Sequence, residues 1–328
     1  MNNKKNPESK KAKIDVIIPA YNAHETIKRT LFSIAYQENI KDIKVYIVND
    51  ASKTDYSKEI KQFKNFMDIT ELTLKENGGP GIARQYGIDN SNSEYIIFID
   101  SDDVFNNPYS ITTLYNNINN SNYDVVISSF YEMLYDGSIL EHTNDTIWMH
   151  GKIYRRKFLK DKNIKFNNTR ANEDNGFNQL IFLYDSKIKT IEDYTYIWMY
   201  NEKSITRIND QEYLFSGLEG YIQNITWALN IAIKNNCNTK KISNLAFSAI
   251  VAIYYYYIEF INEPHVDNLI KKSKQLYEIC LKYPIKTKKE KTNLWYKQYL
   301  ESAKDMKIEN KLNPPITLEE FLSNIERT

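Results

Sequence analysis

Between Lys13 and about Asn107, short apolar runs alternate with segments whose apolar residues recur every three to four positions. The runs are KIDVIIPA from Lys13, KVYIVND from Lys44, ITELTL from Ile69 and EYIIFID from Glu94, each of strand length and rich in β-branched residues. Between the first two, Ile27, Leu31, Ile34 and Ala35 form one apolar stripe at helical spacing. Strands alternating with amphipathic helices predict an α/β domain with a parallel sheet covered by helices. Three runs end in polar or turn residues, at Pro19 to Asn22, Asn49 to Asp50 and Asp100 to Asp103. Ligands of open parallel sheets bind at the carboxyl ends of strands, so these tips are expected to converge on one crevice.

From 108 to 208 the pattern is mixed. It predicts a helix, the strand DVVISSFYEML from Asp124, a hairpin turn at Asp136 and Gly137, helices in HGKIYRRKFL from His150 and NEDNGFNQLIFL from Asn172, and a late strand, IKTIEDYTYIWMY, from Ile188. Beyond about Asn209 the periodicity is helical, with few turn signals before Pro264, Pro284 and Pro314-Pro315. The expected division is a disordered tail over 1–12, an α/β domain over 13–208 and an all-helical region over 209–328, without internal repeats. The stretch ISNLAFSAIVAIYYYYIEFI, 242–261, has an uncharged core only about as long as the shortest membrane span, and includes Ser243, Asn244 and four tyrosines. A buried helix is the expectation, with an interfacial helix and then a true span as the alternatives.

Charge adds an exclusion. With 43 basic and 42 acidic residues, the formal net charge of +1 argues against a general nucleic-acid binder. Cys237 and Cys280 make neither a disulfide framework nor a cysteine zinc site, which suits a reducing compartment. The expected location is cytoplasmic, with peripheral contact at the inner membrane face as the alternative.

The densest chemistry is in EYIIFIDSDDVF. Asp100, Asp102 and Asp103 crowd the end of a buried strand, where like charges repel and raise at least one pKa unless something positive is present. A divalent cation, Mn2+ or Mg2+, bound by Asp102 and Asp103 together with a diphosphate, answers that need. A solvated turn capping the next helix is the other reading of the same residues. There is no GxGxxG or phosphate-loop pattern, so hydride transfer and ATP hydrolysis have no support.

PAYNAHETIKRTLFSI, VNDAS, NGGPGIARQYGI, FIDSDD and NED occur in that order over about residues 13–208, and together they resemble the family-2 glycosyltransferases with the GT-A fold. The resemblance implies a Rossmann-like mixed sheet flanked by helices and a UDP-sugar donor. It also implies a nucleotide site of Pro19, Ala20, Tyr21, Asn22, Asp50, Gly79, Arg84, Asp100, Ser101 and Asp102. Within it, Asp50 would accept a hydrogen bond from uracil, a contact that suits an imide N–H. Arg84 would reach the nucleotide or a nearby carboxylate; Gln85 follows it where relatives more often have Asn. Asp174 would be the general base, tuned by Glu173, although two acids also suit a helix N-terminus. One base facing a departing diphosphate implies inversion.

Trp148 and His150 are candidates for acceptor contact. Lys203, Ser204 and Arg207 stand where relatives close over the diphosphate. The lysine-rich, aromatic stretch 271–297 suggests an anionic polymer, an acceptor glycan, lipid head groups or nucleic acid, unless it is a solvated helical face. A homo-oligomer is a further candidate partner. The rival readings are a non-catalytic sugar-nucleotide-binding scaffold and a glycosyltransferase acting on modified DNA bases.

Overall fold

The apolar run Ile14–Ala20 forms β1, the hub of the sheet, because every one of its residues is buried. It pairs in parallel with β2 (Ile43–Asn49) on one side and β4 (Tyr95–Phe98) on the other. In this computed structural model the described residues are 12–202, 211–263, 266–284 and 313–328. They divide into two compact units, Met1–Arg170 with Ser186–Arg207, and Ala171–Asp185 with Ile208–Thr328. Residues 171–185 therefore belong with the helical unit, whereas the sequence placed them in the α/β region.

In the first unit, α1 (Ile27–Ala35) follows β1 and buries Ile27, Leu31 and Ile34 of the expected stripe together with Thr30, while Ala35 is half-buried. After β2 come α2 (Ser57–Lys61), β3 (Asp68–Thr73) and α3 (Pro80–Asp89), and β3 pairs in parallel with β2. The remaining elements are β5 (Val104–Phe105), α4 (Ser110–Ile118), β6 (Val125–Met133), β7 (Ile139–His142), β8 (Lys152–Arg155), α5 (Arg156–Asp161) and β9 (Ile188–Trp198). The sheet order is β3-β2-β1-β4-β8-β6-β9-β5, with β7 paired to β6. β8 is antiparallel to both β4 and β6, which makes the sheet mixed.

Two features at the start of β8 and just before it correct the expectation of one helix over 150–159. Gly151 adopts φ 62°, and a Cβ there would stand 2.5 Å from Ser128 Oγ. Backbone at 149–151 therefore presses against β6, a route that side-chain-bearing residues avoid. Lys152 is 1% exposed, and its ammonium is satisfied by the Trp148 carbonyl, with Asp145 3.5 Å away. A buried lysine disguises a central strand as a polar helix face. The helix begins only at Arg156, whose guanidinium ties to Asp15, a fully buried carboxylate that also accepts from the Ser93 amide and hydroxyl.

The second unit contains α6 (Glu173–Leu183), α7 (Gln211–Lys234), α8 (Thr239–Glu259), α9 (Val266–Lys282) and a terminal helix, Leu318–Glu326. Asn224 on α7 is fully buried and donates to the carbonyls of Ala171 and Gly220. The apolar stretch of α8 is internal packing: Tyr254 and Tyr257 meet Phe321 of the terminal helix, and the Tyr254 hydroxyl donates to the Ile316 carbonyl. Among the described residues no helix is long and apolar enough to cross a membrane.

Candidate active site

Parallel pairing in register aligns the ends of β1, β2 and β4, with Ala20 opposite Asn49 and Ile17 opposite Phe98. Their tips therefore share one edge of the first unit, as expected for a ligand crevice. Pro19 and Ala20 are buried within β1, Tyr21 is 55% exposed just beyond it, and Asn22 turns the chain with φ 50°. The Asn22 amide donates to Ser52 Oγ, joining this tip to the loop after β2.

Asp50 is buried, and both its oxygens are used: Oδ1 accepts from the Gly78 amide at 2.7 Å and Oδ2 from the Gly79 amide at 2.8 Å. Gly79 has φ 85° and leads directly into Pro80, the first residue of α3. The carboxylate thus fixes a glycine loop at a helix N-terminus, an arrangement suited to anions. Arg170 closes the same loop by donating to the Asn77 side chain.

Of the two fates open to Arg84, the structure shows a carboxylate partner. The guanidinium, 4% exposed, bonds Asp100 Oδ1 at 2.7 Å. Burial pushes the Asp100 carboxyl up, but its neighbours, Arg84 foremost, together leave the group below its ordinary value. Arg29 from α1 donates from Nε and Nη2 to the Asp102 carbonyl at 2.9 and 2.5 Å, pinning the turn that carries Ser101. The Asp102 carboxylate accepts from Asn201 Nδ2 at 2.7 Å, and burial pushes its pKa up.

Asp103 is the most enclosed of the three, at 1% exposed. It accepts from the Tyr196 hydroxyl at 2.5 Å and the Met199 amide at 2.8 Å. Burial first, then repulsion from Asp102 and Asp100, pushes it well above the usual carboxylate range. Burial and the neighbouring Asp103 likewise push the Tyr196 hydroxyl well above its ordinary value.

His150 faces this cluster, with Nε2 4.0 Å from Asp100 and 3.9 Å from Asp103. It sits among the rings of Phe130, Trp148, Tyr196 and Trp198. Burial lowers its pKa to about 3, so the ring is neutral and carries a lone pair. Its Nδ1 is buried with no hydrogen-bond partner among the described residues.

Ligand atoms of Asp100, Asp103 and His150 all lie within 4.8 Å of one another. Two carboxylates and a neutral imidazole form a donor set that fits a divalent cation, whose charge also offsets the crowding. Asp102, paired with Asp103 from the sequence, is not part of this grouping. A carboxyl whose pKa is raised by folding contributes stability below its ordinary 3.8 that is lost as pH rises through the folded value. Asp103→Asn is accordingly expected to raise the metal-free melting temperature at pH 8 by about 2–4 °C. The same variant should lose any further rise on adding Mn2+. A lower melting temperature would instead mean that the hydrogen bonds to Tyr196 and Met199 outweigh the buried charge.

Glu173 and Asp174 open α6 in the second unit, after Asn172 in the left-handed conformation. Glu173 is buried, and Asp174, half-buried, has Oδ1 accepting from the Asn175 amide at 2.7 Å. Lys203, Ser204, Arg207 and the stretch from 285 to 297 lie outside the described residues. Arg29, Tyr196, Trp198 and Asn201 were not singled out from the sequence; the alternation Tyr194, Tyr196, Trp198 in β9 was the available sign that Tyr196 and Trp198 share a face.

Residues 15–171 match the family model "Glycosyl transferase family 2". Among curated proteins, the chain is 28% identical over 248 residues to Glycosyltransferase GlyA of Streptococcus pneumoniae, covering 67% of this chain and 35% of that one. It is 27% identical over 202 residues to poly(ribitol-phosphate) beta-N-acetylglucosaminyltransferase TarS of Staphylococcus aureus, covering 57% and 35%. The match thus spans about a third of the length of each of these relatives. Among solved structures, S. aureus TarS 1-349 with UDP-GlcNAc is similar at a TM-score of 0.70 and 19% identity, over 81% of each chain. The mannosyltransferase PcManGT from Pyrobaculum calidifontis with GDP-Man and Mn2+ is similar at 0.53 and 11%, over 97% of this chain and 87% of that one.

Proposed function

We propose, from the premise that residues 15–171 are a glycosyltransferase family 2 domain with the GT-A fold, that this chain is an inverting transferase moving a sugar from a UDP-sugar to an acceptor hydroxyl. The observation that carries the reading is the joining, at one sheet edge, of the Asp50-held glycine loop to the Asp100, Asp103 and His150 donor set.

In this reading the exposed ring of Tyr21 covers the uracil and the glycine loop approaches the nucleotide. Asp100, Asp103 and His150, with Asp102 beside them, would hold Mn2+ or Mg2+, which supplies positive charge to the departing diphosphate. Arg84 and Arg29 keep the carboxylate turn in place, the first through a carboxylate and the second through a carbonyl. Asp174 takes the proton of the acceptor hydroxyl as its oxygen bonds to the anomeric carbon and the bond from that carbon to the diphosphate breaks. UDP leaves as the anion, and the sugar carbon inverts. The role of Asp174 rests on its place in the Asn-Glu-Asp motif.

The acceptor we favour is a hydroxyl of an anionic polymer of the polyol-phosphate class. One relative is named for transfer to poly(ribitol-phosphate), and the lysine-rich stretch 271–297 suits such a chain electrostatically. Incubation with UDP-N-acetylglucosamine, UDP-glucose or GDP-mannose, each with and without poly(ribitol-phosphate), tests donor and acceptor separately. Polymer-dependent UDP release supports both assignments, whereas GDP release would move the donor to guanosine sugars. Asp103→Ala is expected to weaken UDP binding in Mn2+ and to leave it unchanged in EDTA, measured by calorimetric titration. Equal weakening in both conditions would signal a folding defect.

A further inference from the structure

The first unit exposes a second feature, remote from the strand-tip edge. Phe32 on α1 and Tyr36 just after it are 63% and 75% exposed, and Phe66, two residues before β3, is 67% exposed. Together with Phe63, which Phe32 meets edge-on at 4.9 Å, they border an apolar groove of about 490 Å³. Tyr36 precedes β2 and Phe66 precedes β3, so both lie toward the strand starts, whereas Asp50 and Asp100 lie at the strand ends.

Lysines flank the groove residues Gln62 and Phe63 in the chain. Lys58, Lys61 and Lys64 are exposed on and just after α2, and make no ion pair among the described residues. Lys41, also exposed, stands before β2; the exposed acids nearby in sequence are Glu38, Asp55, which accepts from the Ser57 amide and hydroxyl, and Asp68, which is paired with Lys44. Outward-pointing aromatic rings with lysines beside them suit the boundary of a lipid bilayer, where rings enter the headgroup layer and ammonium groups meet lipid phosphates. A second copy docked symmetrically on this face would oppose lysine to lysine, which disfavours self-association.

We propose that this aromatic and lysine face is a docking surface for an anionic lipid membrane. Docked there, the first unit rests on its strand-start edge, with its strand-tip edge turned away from the lipid.

Co-sedimentation of the full chain with phosphatidylcholine vesicles, alone or mixed with phosphatidylglycerol, provides the test. Binding is expected to the anionic vesicles and to weaken as salt rises. Phe32→Ser combined with Phe66→Ser should lower the vesicle-bound partition at least about tenfold, as should Lys58→Glu, Lys61→Glu and Lys64→Glu together. UDP titration and melting of each variant show whether the domain remains folded. Parent-level binding by folded variants would place membrane contact elsewhere in the chain and overturn the proposal. Absence of binding at low salt would overturn it too, as would a dimer in light scattering that dissolves in the phenylalanine variant.

Discussion

Asp174→Asn is expected to slow sugar transfer by about 10²–10⁴-fold while leaving UDP affinity unchanged. The substitution retains the shape and the Oδ1 atom that accepts from the Asn175 amide, so the first turn of α6 keeps its geometry. It removes the basic lone pair that would take the acceptor proton. A carboxylate near a helix N-terminus also contributes about 0.3–1 kcal/mol through the dipole, too little to unfold a domain. Product formation with poly(ribitol-phosphate), beside UDP titration on the same preparation, separates chemistry from binding. Transfer at the parent rate would remove Asp174 from the mechanism and direct attention to the neighbouring Glu173.

Arg84→Met is expected to cost about 1–3 kcal/mol of stability at neutral pH without metal, because it leaves the half-buried Asp100 carboxylate without its cation. Methionine keeps much of the apolar stem against Phe166, over whose ring the guanidinium carbon stands at 5.9 Å. Burial alone raises the Asp100 pKa, and its neighbours, Arg84 foremost, bring it below 3.8. A carboxylate depressed by folding contributes stability that is complete above 3.8 and lost as pH falls through the folded value. The gap between parent and variant should therefore be widest near neutrality and narrow toward pH 3. Adding Mn2+ should narrow it at neutral pH as well, since a cation replaces part of the missing charge. Melting curves from pH 3.5 to 7.5, with and without Mn2+, read both trends. A gap independent of pH and metal would mean that Arg84 acts through packing alone.

How much of this was legible depended on the range over which each signal acts. The strands β1, β2, β3, β4, β6 and β9, the helices α1 and α6 and the turn at Gly137 follow from local periodicity and turn chemistry. β8 did not, since Lys152 becomes acceptable in a central strand only through the Trp148 carbonyl and Asp145, partners that exist after folding. The carboxylate cluster was visible as three nearby aspartates. Its partners come from afar: Arg29 is 73 residues from Asp102, Asn201 is 99, and Tyr196 is 93 from Asp103. His150 attracted notice as an acceptor contact, yet the sheet order that sets β8 beside β4 delivers it to the aspartates. Sequence distance hides such pairings because pattern reading sees one element at a time.

The grip of Asp50 on Gly78 and Gly79 bears on how quickly the molecule can select its ligand. Glycine backbones lose the most freedom on ordering, about 1–2 kcal/mol per residue for a backbone in general, and here that ordering is complete within the fold itself. Ligand association should then proceed in a single kinetic phase, with an observed rate rising linearly in ligand concentration and no slow rearrangement at saturation. Asp50→Ala would release the loop and introduce that second, saturating phase, visible in stopped-flow quenching of tyrosine and tryptophan emission.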